Sequence, residues 1–197
     1  MINNQAAIST PDAMPARSTI VLIRHAEKAK SGHGLSPAGH DRANAYVQYL
    51  QNFTTLEGTV IQWDHIFASK KTDESHRPVL TVTPLSAALG IPIHQHYADE
   101  DFAKLAKHIR EKREDYAGQN ILICWHHGTI LKLAAALGAS PGTLSPNSAW
   151  PSRWQESVYG WLLEIHYTAD GCLSLDHTRA INEALMPDDT IAPIYGR

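Results

Sequence analysis

Apolar residues fall along the chain in two alternating patterns, short β-rich runs and longer stretches with helical spacing. Residues 19–23 (Thr-Ile-Val-Leu-Ile) form a continuous run with β-branched members, which predicts a buried strand. Ser36-Pro37 then supplies an N-cap with proline at the first helical position. Ala43, Tyr46, Val47, Leu50 and Phe53 share one face, so a helix is expected over 37–53. Residues 65–69 predict a second strand, and the charged, aperiodic stretch 70–76 a loop at its exit. A helix follows from Pro78 to Ala88, stopped by Gly90. Residues 91–96 alternate as a short strand. Asp99-Glu100-Asp101 opens a helix where acids suit the macrodipole; Phe102, Leu105, Ala106 and Ile109 make its buried face and Gly118 closes it. Residues 121–125 form the second strongly apolar strand, followed by a helix over 129–137 ending at Gly138. The Pro- and Ser-rich stretch 140–152 is an irregular connection. Residues 158–167 predict a strand, with Ala169-Asp170-Gly171 as a hairpin turn into 172–177. The tail from Ala180 is expected to wrap the surface.

Strand and helix alternate through most of this order. That predicts an α/β fold, a three-layer αβα sandwich with a mainly parallel sheet and a C-terminal antiparallel hairpin at its edge. The 197 residues suit one domain, residues 18–197, preceded by a flexible N-terminal arm over 1–17. No internal repeat is visible.

Composition narrows the classes. An apolar share of 43% and a net charge of −3, with dispersed Lys and Arg, argue for a soluble protein without a nucleic-acid surface. No apolar run is long enough to span a membrane, and the first residues lack the pattern of a signal peptide. Cys124 and Cys172 have neither metal-ligand spacing nor a disulfide framework; both are expected in strands, in a cytoplasmic protein. Trp150, Trp154 and Trp161 are expected as core or loop anchors. His94 and His96 alternate on a strand without a third ligand in sequence, so ordinary strand histidines are favoured over a metal site.

The chemistry lies at strand ends. The first strand delivers Arg24-His25, and the strand over 121–125 delivers His126-His127. In an open α/β sheet, ligands bind beyond the carboxyl ends of the strands. Strands side by side would put His25 and His126 in one crevice, with Arg77 entering at a helix N-terminus. Two arginines and two histidines converging on one spot make a site for a dianion, most simply a phosphoryl group. No Asp, His or Glu cluster has metal-ligand spacing, so the expected chemistry uses a protein nucleophile and several cationic donors.

These motifs resemble the histidine phosphatase superfamily, also called phosphoglycerate-mutase-like. Ile23-Arg24-His25-Ala26-Glu27 is similar to its first signature, with Ala26 where glycine is usual. Leu35-Ser36-Pro37-Ala38-Gly39 resembles its helix start, Arg77, Thr81 and Leu89-Gly90 its central helix, and Trp125-His126-His127-Gly128-Thr129-Ile130 its second-histidine motif. The resemblance runs in order from Ile20 to Gly138. It implies a metal-independent phosphomonoesterase, with no cofactor, acting through a phosphohistidine intermediate. His25 would be the nucleophile, and Arg24, Arg77 and His126 would hold the phosphoryl oxygens. The acid–base would come from Asp99, Glu100 or Asp101, with Glu100 preferred for its reach. His127, Lys28 and Ser31 are candidate substrate contacts, and the long stretch from Ser69 to Arg77 brings in Lys70, Lys71 or His76. The substrate would be a phosphorylated small molecule or phosphoprotein. The alternatives are a phosphomutase of the same superfamily and an inactive phosphate-binding module; oligomeric state is open.

Overall fold

The computed structural model describes residues 12–144 and 149–191. Among them six strands form one sheet in the order β3-β2-β4-β1-β5-β6: β1 (Thr19–Arg24), β2 (His65–Ala68), β3 (Ile93–His94), β4 (Asn120–Trp125), β5 (Trp161–His166) and β6 (Arg179–Asn182). β3, β2, β4 and β1 run parallel, while β5 runs antiparallel to both β1 and β6. Among the described residues four α-helices flank the sheet: α1 (Pro37–Gln51), α2 (Arg77–Leu89), α3 (Phe102–Glu111) and α4 (Ile130–Ala136).

Alternation along the strands sorts their side chains into two cores. Val21, Ile23, Leu122 and Cys124 pack with Tyr46, Leu50, Val82 and Leu85 of α1 and α2. Ile20, Leu22, Ile121 and Ile123 pack with Leu105, Ile109, Ile130 and Leu133 of α3 and α4. The central strands are buried on both faces, which explains their continuous apolar runs. Each fully buried aliphatic side chain there contributes roughly 1.5–3 kcal/mol relative to exposure. Trp150, Trp154 and Trp161 are buried, as expected of anchors.

The α/β architecture is the expected one; several boundaries differ. The antiparallel partner of β5 on its outer edge is not 172–177 but β6. The turn forms, with Gly171 N–H donating to Thr168 O at 3.0 Å, but beyond it the pairing ends with the Leu173–Tyr167 bridge and the Ser174 N–H bond to His166 O at 2.8 Å. Leu175 is exposed and Ser174 bonds His177 locally, so this polar stretch turns away from the sheet. Ile181 and Ala180 have apolar surface to pack and take the edge position. The tail from Ala180 therefore joins the sheet, and Pro187–Ile191 coils as a 3-10 helix. Cys172 consequently lies exposed outside any strand, whereas Cys124 is buried in β4. The third strand is shortened to Ile93–His94. The acidic trio forms a separate 3-10 turn, Asp99–Asp101, leading into α3.

The expected N-terminal arm is too long as drawn to Arg17. Residues 1–11 lie outside the described residues, but Ala13 and Met14 are buried and Met14 N–H donates to Gly171 O at 3.0 Å. A Cβ on Gly171, whose φ is +72°, would lie 2.2 Å from Met14 O, so only glycine fits this crossing. Among the described residues no helix is long and apolar enough to cross a membrane.

Candidate active site

The site is built where β1 and β4 end. The parallel register pairs Ile23 with Cys124 and Arg24 with Trp125, and His25 N–H continues the ladder onto Trp125 O at 2.9 Å. His25 and His126 thereby emerge side by side, with ring centroids 5.0 Å apart and planes at 69°. His25 is almost fully buried. Its Nδ1 lies 2.7 Å from Ala26 O, and a carbonyl only accepts, so Nδ1 carries the proton and Nε2 keeps its lone pair. Burial drives its pKa down to about 2, and the charges of His126, Arg24 and Arg77 act in the same direction. Burial and Arg77 likewise lower His126 to about 4. Both rings are neutral at physiological pH.

The backbone around His25 is fixed from two sides. Thr81 Oγ1, fully buried on α2, accepts from Ala26 N–H at 2.9 Å and donates to Arg77 O at 2.8 Å. One hydroxyl thus couples the residue after His25 to the first turn of α2, which gives the Arg77-to-Thr81 spacing a mechanical reason. Gly39, in the first turn of α1, sits against the chain at Glu27, where a Cβ would meet Glu27 O at 2.3 Å. Ser36 caps this helix by accepting from Gly39 N–H at 3.0 Å.

Arg24 is buried and its guanidinium is clamped. Nη1 donates to the carbonyls of Glu156 at 2.7 Å and Val158 at 2.6 Å, and more weakly to Gln155 at 3.3 Å. The guanidinium carbon lies 3.8 Å from the centroid of the Tyr159 ring, and Tyr159 also stands edge-on to His25 at 6.3 Å. Desolvation lowers Arg24 to about 10, which leaves it charged at neutral pH. The clamping segment is anchored by Trp154, whose Nε1 donates to the same Val158 carbonyl at 2.9 Å.

Arg77 opens α2, half-buried, with its Nε buried and without a hydrogen-bond partner. It lines a cavity of about 310 Å³ together with Ser69, Lys70, Asp99, Glu100 and His126. His126 is the common wall between that cavity and His25. The long loop from Ser69 therefore still returns Arg77 to the crevice. His76 is exposed and packs near His33 at the loop's outer side, with ring centroids 6.0 Å apart; Lys71 is exposed.

The three acids meet different fates. Asp99 accepts a hydrogen bond from the Thr129 hydroxyl, and its carbonyl accepts from Trp125 Nε1 at 3.2 Å. Burial raises its pKa, against the lowering effect of Thr129 and His127. Asp101 is paired with Lys104 at 2.7 Å, which lowers its pKa. Glu100 is exposed on the cavity wall; among the described residues no hydrogen bond or ion pair holds its carboxylate. Of the outer candidates, His127 is half-buried with Nδ1 unpartnered. Lys28 is drawn into an ion pair with Glu156 at 2.6 Å. Ser31 is exposed and is not part of the cavity wall shared by Arg77 and His126.

Sequence reasoning missed Tyr159, the carbonyl clamp on Arg24 and the hydroxyl that engages Asp99. Thr129 lies within a motif and was legible in principle; Tyr159 carries no local signal. It also missed a larger cavity of about 390 Å³ bordered by Tyr159, Arg42, Glu27 and Asp189. Arg42 there spends its donors on Glu27, Glu183 and Asp189 at 2.7–3.2 Å, so it offers nothing further to an anion. His94 lies with His65 on the β3–β2 edge, and among the described residues no group of three metal-binding side chains comes together.

No family model and no curated protein sequence matches this chain. Solved structures do. The protein histidine phosphatase SixA complexed with tungstate aligns with a TM-score of 0.53 at 13% identity, over 82% of this chain and 96% of that one. The phosphoserine phosphatase of Entamoeba histolytica, in complex with 3-phosphoglyceric acid, aligns with a TM-score of 0.53 at 13% identity, over 86% and 100%. This chain has the histidine phosphatase fold. The phosphoglycerate mutase of Bacillus anthracis str. Sterne shares that fold, with a TM-score of 0.51 at 13% identity over 84% and 93%. The histidine phosphatase fold thus covers phosphatases and a mutase among these neighbours, and its members here act on or bind phosphorylated molecules.

Proposed function

We propose that the protein is a phosphomonoesterase that works through a phosphohistidine on His25 and needs no metal ion. The observation that carries this reading is the pair of neutral histidines 5.0 Å apart, His25 buried and His126 half-buried, with Arg24 and Arg77 acting on both. A neutral imidazole is nucleophilic, and His25 Nδ1–H is already committed to Ala26 O, so Nε2 is the attacking atom. Nε2 attacks phosphorus in line with the ester oxygen; the N–P bond forms as the P–O bond breaks. Arg24, Arg77 and His126 stabilise the transferring oxygens. Glu100 protonates the leaving alkoxide and then takes a proton from water, which attacks phosphorus, breaks the N–P bond and releases phosphate. The substrate is a phosphorylated small molecule or phosphoprotein, reached past His127 and Lys28.

The test is release of inorganic phosphate from an aryl phosphate. The parent should turn over in the presence of a chelator, and a quenched reaction should hold acid-labile phosphate on the protein. His25→Ala should lose turnover by at least about 10³-fold, as expected when a nucleophile is removed, with the fold retained by circular dichroism. Phosphate returned to the alcohol rather than to water would identify a mutase. Tungstate binding without any turnover would identify a binding module.

A further inference from the structure

The reading of His25 as nucleophile leaves a buried hydroxyl near it unaccounted for. Ser69 is 1% exposed, yet its hydroxyl has no hydrogen-bond partner. Its position is fixed by the sheet: Ala68 pairs with Cys124, and Ser69 N–H donates to Cys124 O at 3.1 Å. Ser69 is thus one residue past the end of β2, beside the point where β4 delivers His126. It lines the cavity it shares with Arg77 and His126, and Arg77 Nε is a second buried donor there without a partner. An unpaired buried hydroxyl is unfavourable, and so is an unpaired guanidinium N–H. Two such donors on one cavity call for the same acceptor, and beside a cationic arginine that acceptor is an anionic oxygen.

We propose that Ser69 is a phosphoryl-binding residue whose hydroxyl donates to a nonbridging oxygen of the bound phosphoryl group, next to the Arg77 guanidinium. The proposal rests on the phosphate-site reading above, and it makes Ser69 a group that costs the empty protein stability and contributes it only to the liganded one. A structural serine would behave in the opposite way.

The experiment measures the thermal unfolding midpoint and the dissociation constant for tungstate and for inorganic phosphate, in the parent, Ser69→Ala and Ser69→Cys. Ser69→Ala should unfold at the same temperature as the empty parent or higher. Its affinity for either anion should fall about ten- to a hundred-fold, the range for one hydrogen bond to a charged group. Ser69→Cys, nearly the same shape with a weak donor, should show the same loss and decides the matter if the alanine variant does not fold. Unchanged anion affinity in a folded variant overturns the proposal, as does a lowered midpoint with affinity retained. A parent that binds tungstate but never turns over defeats the enzyme reading while the assignment of Ser69 stands. A parent that binds neither anion overturns both.

Discussion

Asp99, Glu100 and Asp101 are adjacent and alike in charge, yet each meets a different neighbourhood. Asp101 is held by Lys104 on the surface, and Asp99 by the Thr129 hydroxyl. Glu100 keeps its carboxylate on the wall shared with Arg77 and His126. Its rival is Asp99, because burial raises the Asp99 carboxyl and a raised carboxyl suits a general acid. Leaving-group chemistry separates them. Glu100→Gln should slow an alkyl phosphate by about 10²–10⁴-fold, the span of general acid catalysis, and an aryl phosphate far less. An alkyl rate that survives Glu100→Gln but collapses in Asp99→Asn transfers the role to Asp99. At this scale the sequence was informative where a residue sat inside a strand-end motif. Arg24, His25 and His126 could be placed because strand periodicity says where a strand stops, and Arg77 because a helix start follows it. Tyr159 was not, because it reaches Arg24 from a segment with no periodic pattern, across a sequence gap that nothing local encodes.

Helix α1 illustrates the same divide between elements. Its start was legible from Ser36, Pro37 and Gly39, but what ties it to the C-terminal segment was not. Arg42, buried on α1, bonds Glu27 from the loop after β1, Glu183 just past β6, and Asp189 in the last 3-10 helix. Those partners lie as far as 147 positions away, beyond any local signal. Replacing Arg42 with Met leaves buried carboxylates uncompensated and should cost about 3–5 kcal/mol in a urea unfolding experiment. A loss below about 1 kcal/mol would show that the helix and tail are held by apolar packing alone. The failure to foresee β6 has a related cause: Arg179–Asn182 has a weak strand pattern, and only β5's open edge selects it over the better-alternating 172–177.

The molecule as a whole responds to pH through groups its fold has made uncomfortable. Glu183 is one of three carboxylates gathered around the single Arg42 guanidinium, and burial pushes it up to about 8. Its unfolded value is near 4.5. The folded state therefore holds a proton that the unfolded chain has lost between those values, and the stability this group contributes is present below pH 4.5 and lost as pH rises through about 8. Glu183→Gln removes the proton exchange. The stability of the parent relative to this variant should decline steadily across that window in urea titrations at several pH values; a constant difference would mean that Glu183 is ionised throughout. The neutral histidines of the site act with the opposite sign, which is why the comparison is with a variant and not with the parent alone. The α/β class and the parallel core were legible from the alternation of strand and helix, whereas strand order was not, since periodicity identifies strands and leaves their neighbours to the tertiary fold. That order has a kinetic consequence. Thr19 pairs with Asn120 on one side and with His166 on the other. As the chain leaves the ribosome, β1 emerges first and both its edges stay open until distant partners are made. Closing such long loops is slow, and meanwhile Ile20, Val21, Leu22 and Ile23 are an exposed apolar edge prone to self-association. The crevice is accordingly one of the last features to form, and a nascent chain ending before residue 125 lacks the side of it that His126 supplies.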